Sequence, residues 1–150
     1  MENKHNQNPA EELMQAVYKN VKMGEEAVTT VIGKTKDAGM RQELTNQLES
    51  CYSFETAAKN KLFEMSAEAK KVGMIEKIPA DLSIRMSTMM DSSNSKIAEI
   101  MIGGYNMGIV DLQKSINQAR SEGVSDDVLN IATGLVEFEQ GSIENMKQYL

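Results

Sequence analysis

Glu25, Glu55 and Glu139 each stand at a position where the surrounding residues set up a run of hydrophobes. A buried carboxylate without partners costs several kcal/mol, so an interior glutamate must be paired, protonated or bound to a cation. Three of them in one layer could hold a single hard cation such as Mn, Mg, Ca or Fe, with water completing its shell. They could equally form a polar layer that fixes how helices pack. Nitrogen ligands for a redox metal are scarce, because the chain carries one histidine, His5, in a polar N-terminal stretch where a solvated role is expected. The same shortage excludes a Ser-His-Asp set, and no glycine loop suited to phosphate is present.

The positions around the glutamates read as long helices. Leu44, Leu48, Cys51, Glu55, Ala58, Leu62, Met65, Ala69 and Val72 alternate in steps of four and three, the seam of a packed helix. Met14, Tyr18, Val21, Glu25, Val28 and Ile32 repeat the pattern upstream, and Leu129, Ala132, Val136, Glu139, Ile143, Met146 and Leu150 repeat it near the C-terminus. A fourth stripe, Ala98, Ile102, Tyr105, Ile109, Leu112, Ile116 and Ala119, carries no acid and puts Tyr105 at the depth of the glutamates. Tyr105 is therefore the expected hydrogen-bond partner of that layer, with Tyr18, Tyr52, a buried water or an inward-reaching lysine as further candidates.

Helix signals set the boundaries. Asn8, Pro9 and Glu11 predict a helix from about residue 9 to the mid-thirties. Asp37-Ala38-Gly39 turns the chain into a second helix that runs to about Val72 and is ended by Gly73. A long connection follows, with Pro79, the cluster Met86, Met89 and Met90, and room for a short helix from about 80 to 90. The third helix is expected from about 95 to 121, and Ser125 with Asp126 and Asp127 opens the fourth. Residues 1–8 read as a disordered polar tail and 9–150 as a single domain. Short, long and short connections imply two antiparallel hairpins joined by one crossover. The fold class is all-α, an antiparallel four-helix bundle.

Composition narrows the function. The chain of 150 residues has 16 Lys and Arg against 22 Asp and Glu, a net charge of −6, and no basic run, which argues against nucleic acid. No stretch approaches the roughly 20 apolar residues of a membrane span, and MENKHNQNPAEEL lacks a signal-peptide core, so a cytoplasmic location is expected. Cys51 reads as a small buried hydrophobe, and the 12 methionines read chiefly as core filling in a chain without Trp. Met86, Met89 and Met90 are the exception: if exposed, they would form a contact surface for a protein partner. Gly103, Gly104 and Gly108 suit close helix approach, or a ligand cavity beside Tyr105 that would suit a small-molecule carrier.

The stretch Ser95-Lys96-Ile97-Ala98-Glu99-Ile100-Met101 through Gly108-Ile109-Val110-Asp111-Leu112, together with the four helices, resembles the ferritin-like superfamily, and within it the small uncharacterised ferritin-like proteins of Firmicutes. In metal-binding members two helices each give a glutamate and two give Glu-x-x-His. On that template Glu25, Glu55 and Glu139 are the metal ligands the resemblance implies, yet Ala58 and Ser142 stand where the histidines would be and Tyr105 where the fourth carboxylate would be. A pairing of Glu137 with Gln140 lies beside the stripe and ranks second. The resulting expectation is a non-catalytic structural or interaction protein without a cofactor, self-associating as a homo-oligomer. Its alternative is a metal-binding protein with Fe or Mn in a stress or storage role.

Overall fold

A computed structural model of the protein describes residues 8–70 and 90–150. Helix α1 (Pro9–Ile32) begins where Asn8 accepts a hydrogen bond from the backbone N–H of Ala10 at 3.0 Å, with the proline in the first turn where its missing N–H costs nothing. Helix α2 (Ala38–Glu64) is capped by Asp37, which accepts from Met40 N–H at 2.8 Å. Helix α3 (Asn94–Ser121) opens on Ser93, and helix α4 (Asp126–Lys147) on Ser125. The Ser125 hydroxyl turns to the Asp127 carboxylate, a stronger acceptor, so it donates to a side chain and leaves the helix N–H groups uncapped by its oxygen.

Helix α2 stops earlier than its apolar stripe suggests. Ser66 adopts φ 57°, and Ala67 N–H returns to Leu62 C=O at 2.8 Å, the closing turn of a Schellman motif. Beyond it, Gln15 of α1 holds the departing chain: its Nε2 donates to Glu68 C=O at 2.7 Å and its Oε1 accepts from Lys70 N–H at 3.0 Å. Met65 and Ala69 still pack inward, half-buried, so the stripe reflects burial without helix. Val72, Gly73, the short helix expected at 80–90, Met86 and Met89 lie outside the described residues. The α3–α4 turn uses the same closing bond, Val124 N–H to Ala119 C=O, with Gly123 at φ 77°, where a Cβ would be strained.

Two apolar clusters reveal the helix directions. One gathers the start of α1 (Leu13, Met14, Val17), the end of α2 (Ala58, Leu62), the end of α3 (Leu112, Ile116) and the start of α4 (Ala132, Leu135). The other gathers the end of α1 (Val28, Val31), the start of α2 (Met40, Leu44), the start of α3 (Ile97, Met101) and the end of α4 (Ile143, Met146). Thus α1 and α4 run one way, α2 and α3 the other, and the α2–α3 connection joins opposite ends of the bundle. That is an all-α antiparallel four-helix bundle with one long crossover. Met14, Met40, Met101 and Met146 are all at most 3% exposed and fill the core as expected. Among the described residues no helix is long and apolar enough to cross a membrane.

Candidate functional site

The two apolar clusters meet at a polar layer. On α1 the break falls at Glu25, between Val21 and Val28, and on α4 at Glu139, between Val136 and Ile143. Both glutamates are buried, at 7% and 4% exposure, and Glu55 on α2 is half-buried. The layer divides into two parts with different chemistry.

Between α1 and α2, Glu25 and Glu55 hydrogen-bond to each other. Two carboxyls in that contact need a proton between them, because both cannot stay ionised so close together. Burial, followed by the hydrogen bond to Glu55, raises the pKa of Glu25 from its ordinary value. Glu55 is lowered, first by receiving that hydrogen bond and then by its lysines. Glu25 is thus pushed toward its protonated form and Glu55 toward its charged form. Lysines close the pair: Lys22 Nζ reaches Glu25 Oε2 at 2.8 Å and Glu55 Oε1 at 3.4 Å, and Lys59 Nζ reaches Glu55 Oε1 at 3.1 Å. The spacings, three residues in α1 and four in α2, place each lysine one turn from its acid.

Glu139 is satisfied differently. It faces α1 and α3, where its side chain hydrogen-bonds Asn20, and Asn20 Nδ2 also donates to Gly108 C=O at 3.2 Å. Gly108 makes room for this contact: a Cβ would lie 2.9 Å from Asn20 Nδ2 and 3.1 Å from Glu139 Oε1. Burial raises the Glu139 pKa to about 8, with Asn20 pulling it partly back. Among the described residues its Oε2, like Oε1 of Glu25, has no hydrogen-bond partner. At neutral pH this is an un-ionised carboxyl that offers an unused polar atom.

Tyr105 does not serve these glutamates. Its hydroxyl donates to Gln47 Oε1 at 2.6 Å, Gln47 Nε2 donates to Glu43 Oε1 at 2.9 Å, and Asn145 Nδ2 meets the same oxygen at 3.0 Å. Gln47 is 2% exposed and sits three residues after Leu44 on the α2 seam, so it was the polar group best placed to receive the phenol. Burial holds the Tyr105 pKa well above its ordinary value. Cys51 is also buried, and its thiol is pushed up to about 12, chiefly by burial, which makes it an inert core residue at neutral pH. Spacing could have revealed Gln47, since it falls on the seam. Asn20, Gln15 and Lys22 carry no pattern that marks them.

A divalent cation does not fit this donor set. Two ammonium groups hold Glu25 Oε2 and Glu55 Oε1, Glu139 turns to Asn20, and Ala58 and Ser142 supply no nitrogen. Among the described residues no group of three or more His, Cys, Asp or Glu is arranged to hold a metal ion. The layer does border a cavity of about 300 Å³ between α1 and α3, lined in part by Gly104, Tyr105, Gly108 and Glu139.

No family model matches the chain, and no curated protein matches it significantly. Among solved structures it is similar to YcfI of Rhodopseudomonas palustris, provisionally described as a structural protein, with a TM-score of 0.76 and 14% identity over 98% of each chain. At that identity the likeness is one of fold, and it extends the four-helix architecture over nearly the whole length of both proteins.

Proposed function

We propose that the chain is a non-catalytic ferritin-like bundle that works in the cytoplasm as a structural or interaction protein. The observation that carries this is the closure of the Glu25–Glu55 pair by Lys22 and Lys59. Where a metal-binding bundle of this topology presents carboxylates to an ion, here the opposite charge is built into the helices. The description of YcfI as a structural protein points the same way. Self-association would use exposed apolar side chains on α2 and α3, of which Phe63 at 83% and Val110 at 53% exposure are the most prominent, or the crossover end at Met90, 99% exposed.

The runner-up is a metal-binding bundle with a storage or stress role. Elemental analysis of protein purified without chelator separates the two. The structural reading expects no stoichiometric transition metal. A stoichiometric Fe or Mn that disappears in Glu55→Ala would sink it and establish the alternative. Sedimentation of the wild type and of Val110→Glu tests the interaction half, because a bundle that stays monomeric at all concentrations has no self-associating face.

A further inference from the structure

The cavity between α1 and α3 has the makings of a ligand site independent of metal binding or self-association. Its wall is apolar, supplied by Met23 on α1 and by Ile100, Met101 and Leu112 on α3. At its inner side stands Glu139, 96% removed from solvent by its 4% exposure, with Oε2 unpartnered. A largely apolar pocket with a few polar groups is the usual construction of a small-molecule site, in which the polar atoms fix orientation and the wall provides affinity. A buried polar atom left without a partner costs free energy in the empty protein, and a ligand that satisfies it recovers that cost.

We propose that this cavity binds a small, uncharged, mainly apolar molecule whose single hydroxyl or carbonyl group hydrogen-bonds the Glu139 carboxyl. Size follows from volume: a cavity half as large holds benzene, so about 300 Å³ takes on the order of a dozen non-hydrogen atoms. Charge follows from the surroundings. The carboxyl is neutral below about pH 8, and the ionisable groups facing it, Cys51 from α2 and Tyr105 from α3, are neutral there too. From α1 it meets the uncharged amide of Asn20. The inner part of the pocket thus presents no charge to balance an ionic ligand, while Lys19 and Asp111 also line it.

The test uses phenylbutanol, phenylbutylamine and phenylbutyrate, three molecules with one body and different heads, titrated into the full chain at about pH 6, where Glu139 carries its proton. Methionine methyl NMR reports occupancy through Met23 and Met101. Phenylbutanol should bind saturably at one site, and more tightly than either charged analogue. Its affinity should drop about tenfold or more in Glu139→Leu, which keeps the shape and removes the hydrogen bond, and in Ala27→Leu, which fills the cavity wall. Glu139→Gln, whose amide can still donate, should bind within about threefold of wild type. Absence of saturable binding would overturn the proposal, as would binding indifferent to Glu139→Leu. Preferential binding of phenylbutylamine that strengthens with pH would overturn it in favour of a cation site.

Discussion

Glu25 and Glu139 occupy equivalent levels of α1 and α4, which run the same way, and are almost equally hidden, yet they solve the problem of a buried acid in opposite ways. Glu25 lies beside Glu55 and within one turn of Lys22, so its interior position is stabilised by a shared proton and an ammonium group. Among the described residues Glu139 has one amide partner and no cation, and burial favours its neutral form. The difference teaches that burial alone does not decide the role of an acid. Each acid keeps one buried oxygen without a partner among the described residues, Glu25 Oε1 and Glu139 Oε2; the first arrangement ties its acid to a cation within the fold and serves packing, whereas the second sets a carboxyl without a cation beside a cavity and serves, on our reading, recognition. Polar layers of either kind also set helix register at some cost in stability.

Glu139→Gln gives the largest expected effect. The folded-state value of about 8 lies above the ordinary 4.5, so the native protein binds a proton that the unfolded chain has released between those two values. Stability therefore falls as pH rises through that window and levels off above it, amounting to about 3 kcal/mol by pH 7. Glutamine cannot titrate and should lack that decline. Urea unfolding of the two proteins from pH 4 to 9 measures the difference, in which the contributions of all other groups cancel. Parallel pH profiles would show that Glu139 is ionised in the folded protein and would dissolve the contrast with Glu25.

Lys22→Met should cost about 1–2 kcal/mol, because the lysine contacts two acids and is about one-third exposed, so solvent screens part of its charge. Its own pKa is raised, mainly by the hydrogen bond to Glu25, so this stabilisation is fully present at neutral pH and disappears only above the lysine range. Lys59→Met, removing a cation whose side chain is 52% exposed and which pairs with one acid, Glu55, besides lying 6.0 Å over the Tyr18 ring, should cost less. Chemical denaturation at pH 7 ranks them. An equal cost for both would mean that Glu25 draws no support from Lys22, and the pair would then resemble Glu139 after all.

Much of this was legible in the spacing of apolar residues and in the caps. Asn8, Asp37 and Gly123 act as sequence chemistry leads one to expect, and the three interior glutamates are found in a shared layer. The apolar pattern misplaced the end of α2, since Met65 and Ala69 pack inward without being helical, and Ser66 is a residue type with no strong preference for the left-handed turn it makes. It also extended the last helix to Leu150, which is 64% exposed beyond the helix end at Lys147. What held the glutamates was less legible still. A lysine one turn from an acid is commonplace on helix surfaces, and whether it reaches inward depends on the neighbouring helix. Asn20 acquires its role only because Gly108, far away in sequence, removes a side chain from the facing position.

Gly108→Ala carries the smallest expected change in stability and separates the two halves of the layer most cleanly. Alanine should gain about 1 kcal/mol of helix propensity in the middle of α3. Against this, its Cβ would stand 2.9 Å from Asn20 Nδ2 and 3.1 Å from Glu139 Oε1, so something must move. The amide end of the half-buried Asn20 gives way most readily, losing its hydrogen bonds to Gly108 C=O and to Glu139. Those losses offset the propensity gain, and net stability should change by no more than about 1 kcal/mol. Glu139 would then lose the only group that lowers its pKa, and its titration, followed by the carboxyl carbon resonance, should move upward from about 8 while that of Glu25 stays in place. If both acids shifted together, the polar layer would be one coupled network, and the division between a packing pair and a recognition group would not stand.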